Sequence, residues 1–411
     1  MDREAKKATK NTSMLYVLNI AKMIFPLATL PYLTRILTVD SYAVVAYVKA
    51  VMQYVQVVLV FGFTLSATKD IVNAKGDKKE IGKIVGGVLE AKLILSFITA
   101  ISLVGITIAI PILREYPLYV ALSFINAVLM EMLVDFLFRG MDRMGVITIR
   151  FVVAKAISTI LTFILINDDT DLLLIPILDI VGSLVALALV AYEIKKLDIK
   201  IEFVRFKTAL YHLKESAVYF ISEMATTAFG ALNTLLIGIF VTKTQVSYWS
   251  NCMQLIVAVQ SLYSPITGGI YPSMVRTKSI GFIKKVLKIF MPIVIVGCIV
   301  CFFFSELFMT LIFGQQYAPA SPVFRALVPV LLFSFPGMLF GWPTLGPIGK
   351  QKETTTTTII TAIVQVIGLI LLLVFNKFDL IYIAVLRCIT ELLMLFLRAR
   401  YCYIYRSLFN E

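Results

Sequence analysis

The sequence has few of the residues on which most enzyme and metal chemistry depends. Its 411 residues include one histidine and five cysteines, and only 15% of them are charged. One histidine cannot build a histidine-rich metal site or a relay of several proton carriers. Neither the phosphate-binding pattern G-x-x-x-x-G-K-S/T nor the dinucleotide pattern G-x-G-x-x-G occurs. We therefore expect no metal site, no cofactor and no catalytic residues, and a nucleotide-driven pump is disfavoured.

The cysteines and the histidine that are present lie where packing or solvation is the simpler expectation. Cys298 and Cys301 have the C-x-x-C spacing, but they fall inside an apolar stretch, where small side chains usually pack. His212 lies in a basic loop and is expected to be solvated or to face lipid headgroups. These residues therefore do not indicate redox or metal chemistry.

Most polar segments are short, because twelve apolar stretches alternate with polar breaks. Each stretch is long enough, at about 1.5 Å per residue, to cross roughly 30 Å of hydrocarbon as a helix that satisfies its own backbone. With 59% hydrophobic residues and a mean hydropathy of +0.91, the chain is predicted to be an all-α integral membrane protein with twelve transmembrane helices. The predicted spans, numbered 1 to 12, are Met14–Ile36, Ala43–Ala67, Ile84–Ile110, Leu118–Phe138, Val146–Ile166, Leu172–Tyr192, Ala217–Thr242, Tyr248–Tyr271, Ile289–Phe313, Val323–Leu345, Thr356–Phe375 and Leu380–Leu397.

Most lysine and arginine residues outside these spans fall in every second polar break, beginning with the N-terminal segment. Cationic loops stay on the cytoplasmic side of a membrane. The asymmetry therefore predicts that both ends are cytoplasmic (N-in and C-in), and it accounts for the net charge of +13. A basic chain can also indicate nucleic-acid binding, but no basic domain is present to carry it, so no nucleic-acid partner is expected.

A long basic connection divides the chain into two halves of six spans each. It runs over residues 193–216 and interleaves Lys and Arg with Ile and Phe, which suits a segment lying on an anionic leaflet; an ordinary solvated linker fits equally. We expect residues 1–200 to form an N-terminal lobe with helices 1–6, and residues 201–411 a C-terminal lobe with helices 7–12, around a central cavity. Two parallel halves suit a transporter that works by alternating access.

The loops on the less basic side are all short. A membrane glycosyltransferase acting on polyprenyl-linked sugars would need an extended outer loop with a catalytic carboxylate or an arginine cluster. The sequence therefore favours transport over catalysis. A multidrug or cation exporter is the leading alternative transporter, and such a glycosyltransferase is the less favoured enzyme alternative.

Polar side chains inside the spans are the candidate binding residues, because an ionisable group in a membrane costs about 2.5–3.5 kcal/mol on insertion scales. Lys49, Gln53 and Gln56 share one face of span 2 through their i, i+4, i+7 spacing. Lys22 and Lys49 have no carboxylate within one turn, and Lys155 is the next candidate for an unpaired cation. The candidate substrate-binding residues are Lys22, Lys49, Gln53, Gln56, Lys155, Asn233, Asn251 and Gln254.

Acidic side chains inside the spans have two competing interpretations. As functional groups they would exchange a coupling ion, a proton or sodium. As structural groups they would neutralise basic neighbours, with Asp135–Arg139 and Arg387–Glu391 forming i, i+4 pairs while lysines extend to the membrane surface. The ion-coupling candidates are Glu131, Asp135, Asp179, Glu223 and Glu391.

Unpaired lysines that face a water-filled cavity would attract an anion. Lysine binds phosphate groups as a point charge, so the pattern favours a phosphate or pyrophosphate group on the substrate. A cation exporter would be expected to have a cavity dominated by carboxylates instead.

A series of short segments along the whole chain matches a known family in order and in helix count. The segments are Pro31–Leu37, Ser41–Ala43, Tyr54 through Gly62-Phe63, Ser66–Lys69, Phe138–Arg143, Gly314–Tyr317, Gly349–Lys352 and Thr390-Glu391. In these segments the chain resembles the bacterial polysaccharide flippases that move O-antigen and capsule repeat units. These flippases belong to the multidrug/oligosaccharidyl-lipid/polysaccharide exporter superfamily.

The resemblance implies a V-shaped pair of six-helix bundles in the bacterial cytoplasmic (inner) membrane. It implies that an oligosaccharide on undecaprenyl pyrophosphate is turned from the cytoplasmic to the periplasmic leaflet for O-antigen, lipopolysaccharide or other surface polysaccharide synthesis, by antiport. The implied partners are the lipid-linked oligosaccharide, membrane lipids and the polysaccharide polymerase machinery. Lipid II flippases of the superfamily are similar in using basic residues on their first two helices, where this chain has Lys22 and Lys49. They have fourteen helices, and they place a cation on helix 8, where this chain has Asn251, Gln254 and Gln260.

Overall fold

The computed structural model of this protein describes residues 3–203 and 206–410. Side chains are described throughout these ranges except at positions 3–10, 12, 206–209, 211, 218, 221–223 and 225–232. Every element in this part of the chain is a helix, and its one β-type contact is an isolated bridge between Ser279 and Asn410. The predicted all-α class is confirmed for the residues described.

The chain divides into two compact units, Met1–Thr227 and Ala228–Glu411, and the division falls inside one long helix. The proposed lobe boundary at residue 200 stays a prediction. Up to that long helix, the α-helices are α1 (Arg3–Ile36), α2 (Val39–Val60), α3 (Phe63–Asn73), α4 (Lys78–Ala109), α5 (Pro111–Arg114), α6 (Pro117–Glu131), α7 (Asp135–Gly140), α8 (Met144–Leu165), α9 (Leu174–Lys196) and α10 (Phe206–Phe240).

The second unit begins within α10 and continues to the C-terminus with shorter helices interspersed among the long ones. Short 3-10 helices lie at Asp169–Asp171 in the first unit, and at Gln315–Ala320 and Arg406–Leu408 in the second. The α-helices after α10 are α11 (Lys243–Ser261), α12 (Ser264–Thr277), α13 (Ile280–Phe303), α14 (Ser305–Phe313), α15 (Ser321–Phe340), α16 (Trp342–Leu345), α17 (Gln351–Val374) and α18 (Leu380–Ile404).

Ten segments of the described chain are long and apolar enough to cross a membrane. They coincide with predicted spans 1–6 and 9–12. Predicted spans 7 and 8 are helical, as α10 and as α11 with α12, but they are not among these ten. The protein is therefore a polytopic helical membrane protein with about ten candidate spans, while the count of twelve and the N-in, C-in orientation stay predictions.

Predicted span 2 is broken into two helices, which corrects the expectation of one continuous helix. The break between α2 and α3 falls at Phe61 and Gly62, whose φ angles of 45° and 75° lie in the left-handed region. Glycine adopts such angles without strain. At Gly62 a Cβ atom would also lie 2.5 Å from the Cβ of Tyr219, so α10 packs closely against this break at Ser216, Tyr219 and Phe220.

Predicted span 4 is also two helices, α6 and α7, separated at Val134. Its φ of 47° is uncommon for a β-branched residue, so the surrounding packing must hold it there. Hydropathy averaged over a window does not detect a single residue of this kind. Predicted spans 8, 9 and 10 are likewise interrupted, near Tyr263, Phe304 and Gly341.

Predicted span 7 ends at Thr242 and predicted span 8 begins at Tyr248, so the short gap between them predicts a tight turn near Lys243, and the connection between α10 and α11 is such a turn. Thr242 caps α11, since its hydroxyl accepts a hydrogen bond from the Gln245 N–H and the Gln245 side chain accepts one from the Thr242 N–H at 3.1 Å. This reciprocal capping box satisfies two backbone donors at the start of the helix. The prediction of a tight turn is confirmed.

The connection after α9 packs against α4, while its position on a leaflet surface or in solvent stays a prediction. Ile199 is buried, and the Glu202 N–H donates to the Gly82 carbonyl at 3.2 Å. A Cβ atom at Gly82 would overlap the Lys200 carbonyl, and one at Gly86 would overlap the Glu202 carbonyl. The two glycines, one turn apart on α4, allow the connection to approach the helix backbone closely.

Candidate substrate-binding site

The first unit contains a cavity of about 340 Å³ lined by residues of α1, α2, α6, α8 and α9. These helices pack around it: α8 contacts both α1 and α9, and α6 contacts both α2 and α9. The volume lies within the ~300–1,000 Å³ typical of small-molecule sites. We refer to this space as the N-terminal pocket.

Helix α2 supplies the polar stripe that its sequence spacing predicts. Lys49, Gln53 and Gln56 all line the N-terminal pocket. Tyr47 and Val51, on the opposite face of α2, are buried in the unit. Lys49 and Gln53 are exposed side chains, and no described residue forms a hydrogen bond or an ion pair with the Lys49 ammonium group. Lys49 therefore presents an uncompensated positive charge to the pocket.

Lys155 also lines the pocket, but the prediction that it is unpaired is wrong. Its Nζ lies 2.7 Å from Oδ1 of Asp179, joining α8 to α9. The hydroxyl of Ser158, one turn after Lys155, donates to the same carboxylate oxygen at 3.0 Å. Asp179 lines the pocket too, so its described wall holds two lysines and one aspartate and carries an excess of positive charge.

Lys22 is exposed on α1 and lies beside the N-terminal pocket rather than in its wall. Its Nζ is 5.8 Å from the centre of the Phe151 ring, and Phe151 is a pocket residue. A cation placed over an aromatic face gains about 0.5–1 kcal/mol at an exposed site. No ion pair to Lys22 occurs among the described residues. Lys22 is therefore a cation next to a residue of the pocket wall.

Several uncharged pocket residues were not among the candidates from the sequence. Ser123 and Asn126 of α6 line the pocket, as do the rings of Phe25 and Tyr119. Asn126 accepts a 2.6 Å hydrogen bond from Ser183 of α9, which fixes its amide. The i, i+3 spacing of a serine and an asparagine in an otherwise apolar span was the available signal. Together with the glutamines of α2, these groups provide hydrogen bonds and ring faces suited to a sugar.

Two acidic candidates of the first unit pair with basic residues on other helices. Asp135 pairs with Arg150 of α8, not with Arg139 as the i, i+4 spacing suggested. Both Asp135 and Arg139 lie in α7, so their i, i+4 spacing is kept, and it is the packing of α7 against α8 that brings Arg150 to Asp135. Glu131 lies 3.0 Å from the Lys92 Nζ, which also donates to the Glu131 carbonyl at 2.7 Å. Neither carboxylate lines the N-terminal pocket.

The remaining candidates belong to the second unit, except Glu223, whose side chain lies outside the described part of the chain. Asn233 is buried and accepts a 2.9 Å hydrogen bond from Gln365, which in turn accepts one from Thr390. This chain ties α10, α17 and α18 together. The role of Asn233 in substrate binding stays a prediction, but its carbonyl oxygen is engaged within the unit.

Asn251 and Gln254 of α11 differ in exposure. Asn251 is fully buried near Tyr317, whereas Gln254 is half-buried. The predicted Arg387–Glu391 pair of α18 is confirmed at 3.1 Å, with both side chains at most 10% exposed. The candidates that come together in the N-terminal pocket are therefore all from the first unit, namely Lys49, Gln53, Gln56, Lys155 and Asp179.

A comparison with protein families decides where the chain belongs. The model of a family described as "Polysaccharide biosynthesis protein" matches residues 8–278, which cover all the helices of the N-terminal pocket. The chain belongs to this polysaccharide biosynthesis family. A relative from Shigella dysenteriae, named "Putative O-antigen transporter", is 26% identical over 87% of this chain and 91% of its own length.

Solved structures show which fold this member of the family has. A multidrug resistance MATE family transporter of the MOP superfamily, in its inward-facing conformation, matches with a TM-score of 0.70 at 14% identity, covering 95% of this chain and 94% of its own. The lipid II flippase MurJ, inward closed, matches with a TM-score of 0.63 at 13% identity, covering 93% and 87%. The chain thus has the fold of MOP-superfamily transporters, and its resemblance to polysaccharide flippases is confirmed at the level of the family.

Proposed function

We propose that this family member is a flippase that moves undecaprenyl-pyrophosphate-linked oligosaccharide repeat units from the cytoplasmic to the periplasmic leaflet of the bacterial inner membrane. The observation that carries the proposal is Lys49, an exposed ammonium group without an ion pair among the described residues, in a pocket that also offers amides and ring faces. The name of the Shigella relative and the MurJ-like fold support the same substrate class.

The substrate contacts follow from the chemistry of the pocket wall. Lys49, with Lys22 behind the ring of Phe151, binds the pyrophosphate as point charges. Gln53 and Gln56 donate to and accept from the first sugar. The polyprenyl chain stays in the hydrocarbon, since its transfer out of lipid would be costly.

The proposed topology has twelve spans, with both ends cytoplasmic, and lobes formed by residues 1–200 and 201–411. The basic loops on one side support this orientation. Alternating access between the lobes carries the headgroup across, and the lipid-linked product is handed to the polymerase machinery. Asp179, which lines the pocket, and Glu223 are the proposed candidates for an ion-coupled step, because Glu131, Asp135 and Glu391 are paired with basic residues away from the pocket.

Export of a cationic drug fits the pocket poorly. Its single carboxylate, Asp179, is already paired with Lys155, and the excess charge of the wall is positive. A cation would be repelled by Lys49, whereas a pyrophosphate would be attracted. The pocket therefore favours an anionic headgroup over the alternative exporter.

Replacement of Lys49 tests the proposal directly. Lys49→Ala, expressed in a strain of the source bacterium that lacks the native gene, should abolish or strongly reduce surface polysaccharide. A hydrogen bond to a charged group contributes about 1.5–3 kcal/mol, which corresponds to roughly a 10- to 150-fold loss of affinity. Lys79→Ala, at an exposed lysine of α4 outside the pocket, is the matched control and should give normal polymer.

The measurement is polymer on the cell surface, normalised to the amount of protein in the membrane. A normal amount of polymer from membrane-inserted Lys49→Ala would contradict the proposal that Lys49 binds the headgroup. Accumulation of lipid-linked repeat units in the cytoplasmic leaflet of the Lys49→Ala strain would place the defect at translocation rather than at sugar assembly.

A further inference from the structure

The ion pair of the N-terminal pocket differs from the other ion pairs found inside the spans. The side chains of Lys155 and Asp179 are 34% and 31% exposed, and both line the cavity. By contrast, Lys92 and Glu131 are 6% and 17% exposed, and neither lines the pocket. An ion pair that is open to a cavity can exchange its partner for a ligand, whereas a pair enclosed by packing cannot do so without a rearrangement.

The two hydrogen bonds to Asp179 define what such an exchange would involve. Oδ1 accepts from Lys155 Nζ at 2.7 Å and from the Ser158 hydroxyl at 3.0 Å. If an anion takes Lys155, the Ser158 hydroxyl still holds the carboxylate. Asp179 is thereby kept on the pocket wall, close enough to recapture the ammonium group.

Lys49 lies within electrostatic reach of both members of the pair. The charge of Lys155 repels its ammonium group, and the charge of Asp179 attracts it. The charge of one carboxylate therefore acts on two lysines: Asp179 is paired with Lys155, and Lys49 has no ion-pair partner among the described residues. A pyrophosphate, with more than one negative charge, would compensate both lysines better than a single carboxylate does.

We propose that Asp179 is a built-in competitor for the substrate's pyrophosphate: it occupies Lys155, yields it to the arriving anion, and retakes it when the anion leaves. This inference rests on the proposed function of the same pocket. No covalent bond is made or broken, and Lys155 only exchanges the Asp179 carboxylate for the anion as its counter-ion. A transporter must bind its substrate firmly enough to admit it and weakly enough to release it. By competing for Lys155, Asp179 keeps binding weak enough for release.

The inference makes an unusual prediction, because loss of a pocket residue should tighten binding. In Asp179→Asn the competing charge is gone, and Lys155 is fully available to the anion. We expect affinity for farnesyl pyrophosphate to rise about tenfold, as removal of a nearby like charge in a partly screened site would produce. We expect translocation to slow, so surface polysaccharide should fall although the headgroup binds more tightly.

The experiment measures binding of farnesyl pyrophosphate to the full-length protein in lipid nanodiscs by titration calorimetry, with farnesol as the uncharged control. Asp198→Asn is the matched charge control, since Asp198 is an exposed residue in the connection after α9, and it should bind like the wild type. The double variant Lys155→Gln/Asp179→Asn should lose the gain, because the released ammonium group is what binds the anion. If Asp179→Asn does not fold, Asp179→Ser removes the same charge and is measured instead.

The outcomes separate this inference from the proposed function. Tighter binding by Asp179→Asn, reversed in the double variant, supports competition at Lys155. Unchanged or weaker binding by Asp179→Asn, together with weakened binding by Lys49→Ala, overturns the competitor and leaves the flippase pocket in place. If Lys49→Ala and Asp179→Asn both bind farnesyl pyrophosphate like the wild type, the pocket is not the headgroup site and both proposals fail.

Discussion

The Lys92–Glu131 pair offers a sharp test of whether an intramembrane carboxylate has a structural or a coupling role. The Lys92 Nζ lies 3.0 Å from the Glu131 carboxylate and 2.7 Å from the Glu131 carbonyl. Both side chains are largely enclosed, at 6% and 17% exposure. Removing one member of such a pair leaves a buried charge without its partner, which costs about 3–5 kcal/mol. Replacing both members with apolar residues of similar size is often neutral or stabilising.

Glu131→Leu should therefore destabilise the protein, and Lys92→Met/Glu131→Leu should restore it. At about 2–4 °C per kcal/mol, the single variant is expected to unfold roughly 6–20 °C below the wild type. The double variant should unfold within about 4 °C of the wild type. Melting of the purified protein in one detergent, followed by size-exclusion chromatography of heated samples, provides the measurement.

The exposed pair Lys78–Asp198 is the matched control for this comparison. Its side chains are 57% and 80% exposed, so Asp198→Asn should cost less than about 1 kcal/mol. If the Glu131→Leu protein has the melting temperature of the wild type but exports no polymer, the structural role of Glu131 is refuted. Glu131 would then be a coupling residue. Full polymer output from the double variant would exclude a coupling role for Glu131.

Two further outcomes follow from packing in the first unit. Gly86→Ala should loosen the connection after α9 from α4, because the new methyl group overlaps the Glu202 carbonyl; faster proteolysis near Lys200 would show this, whereas wild-type resistance would contradict the packing. Asp135→Asn should lower the melting temperature more than Arg139→Gln, because Asp135 neutralises Arg150, which is 5% exposed; equal effects would instead favour the pairing of Asp135 with Arg139.

The polar stripe of α2 was predictable because helical spacing alone places residues on one face. Lys49, Gln53 and Gln56 line the pocket as their i, i+4, i+7 separation requires. The tight turn before α11 was predictable for a similar reason, since it depends on local contacts between Thr242 and Gln245. Within one helix or one turn, the spacing of residues in the sequence is enough to predict how their side chains are placed.

The partners of the intramembrane charges were not predictable in the same way. The i, i+4 rule found Arg387–Glu391, which lies within α18, but it assigned Arg139 to Asp135, whose partner is Arg150 on another helix. Lys155 and Asp179 lie on different helices, and only their packing brings the two side chains together. A rule based on spacing within one helix cannot predict such contacts, because they depend on how α8 and α9 pack.

Charge neutralisation by ion pairs inside the spans gives the unpaired Lys49 its significance. A charge inside a span is costly, and four basic side chains within the spans have a carboxylate within ion-pair distance that offsets this cost. These pairs are Lys92–Glu131, Arg150–Asp135, Lys155–Asp179 and Arg387–Glu391. Lys49, like Lys22 beside the pocket, has no such ion pair among the described residues. A cation kept without a fixed counter-ion, in a pocket with amides beside it, is best explained by a counter-ion that arrives and leaves with the substrate.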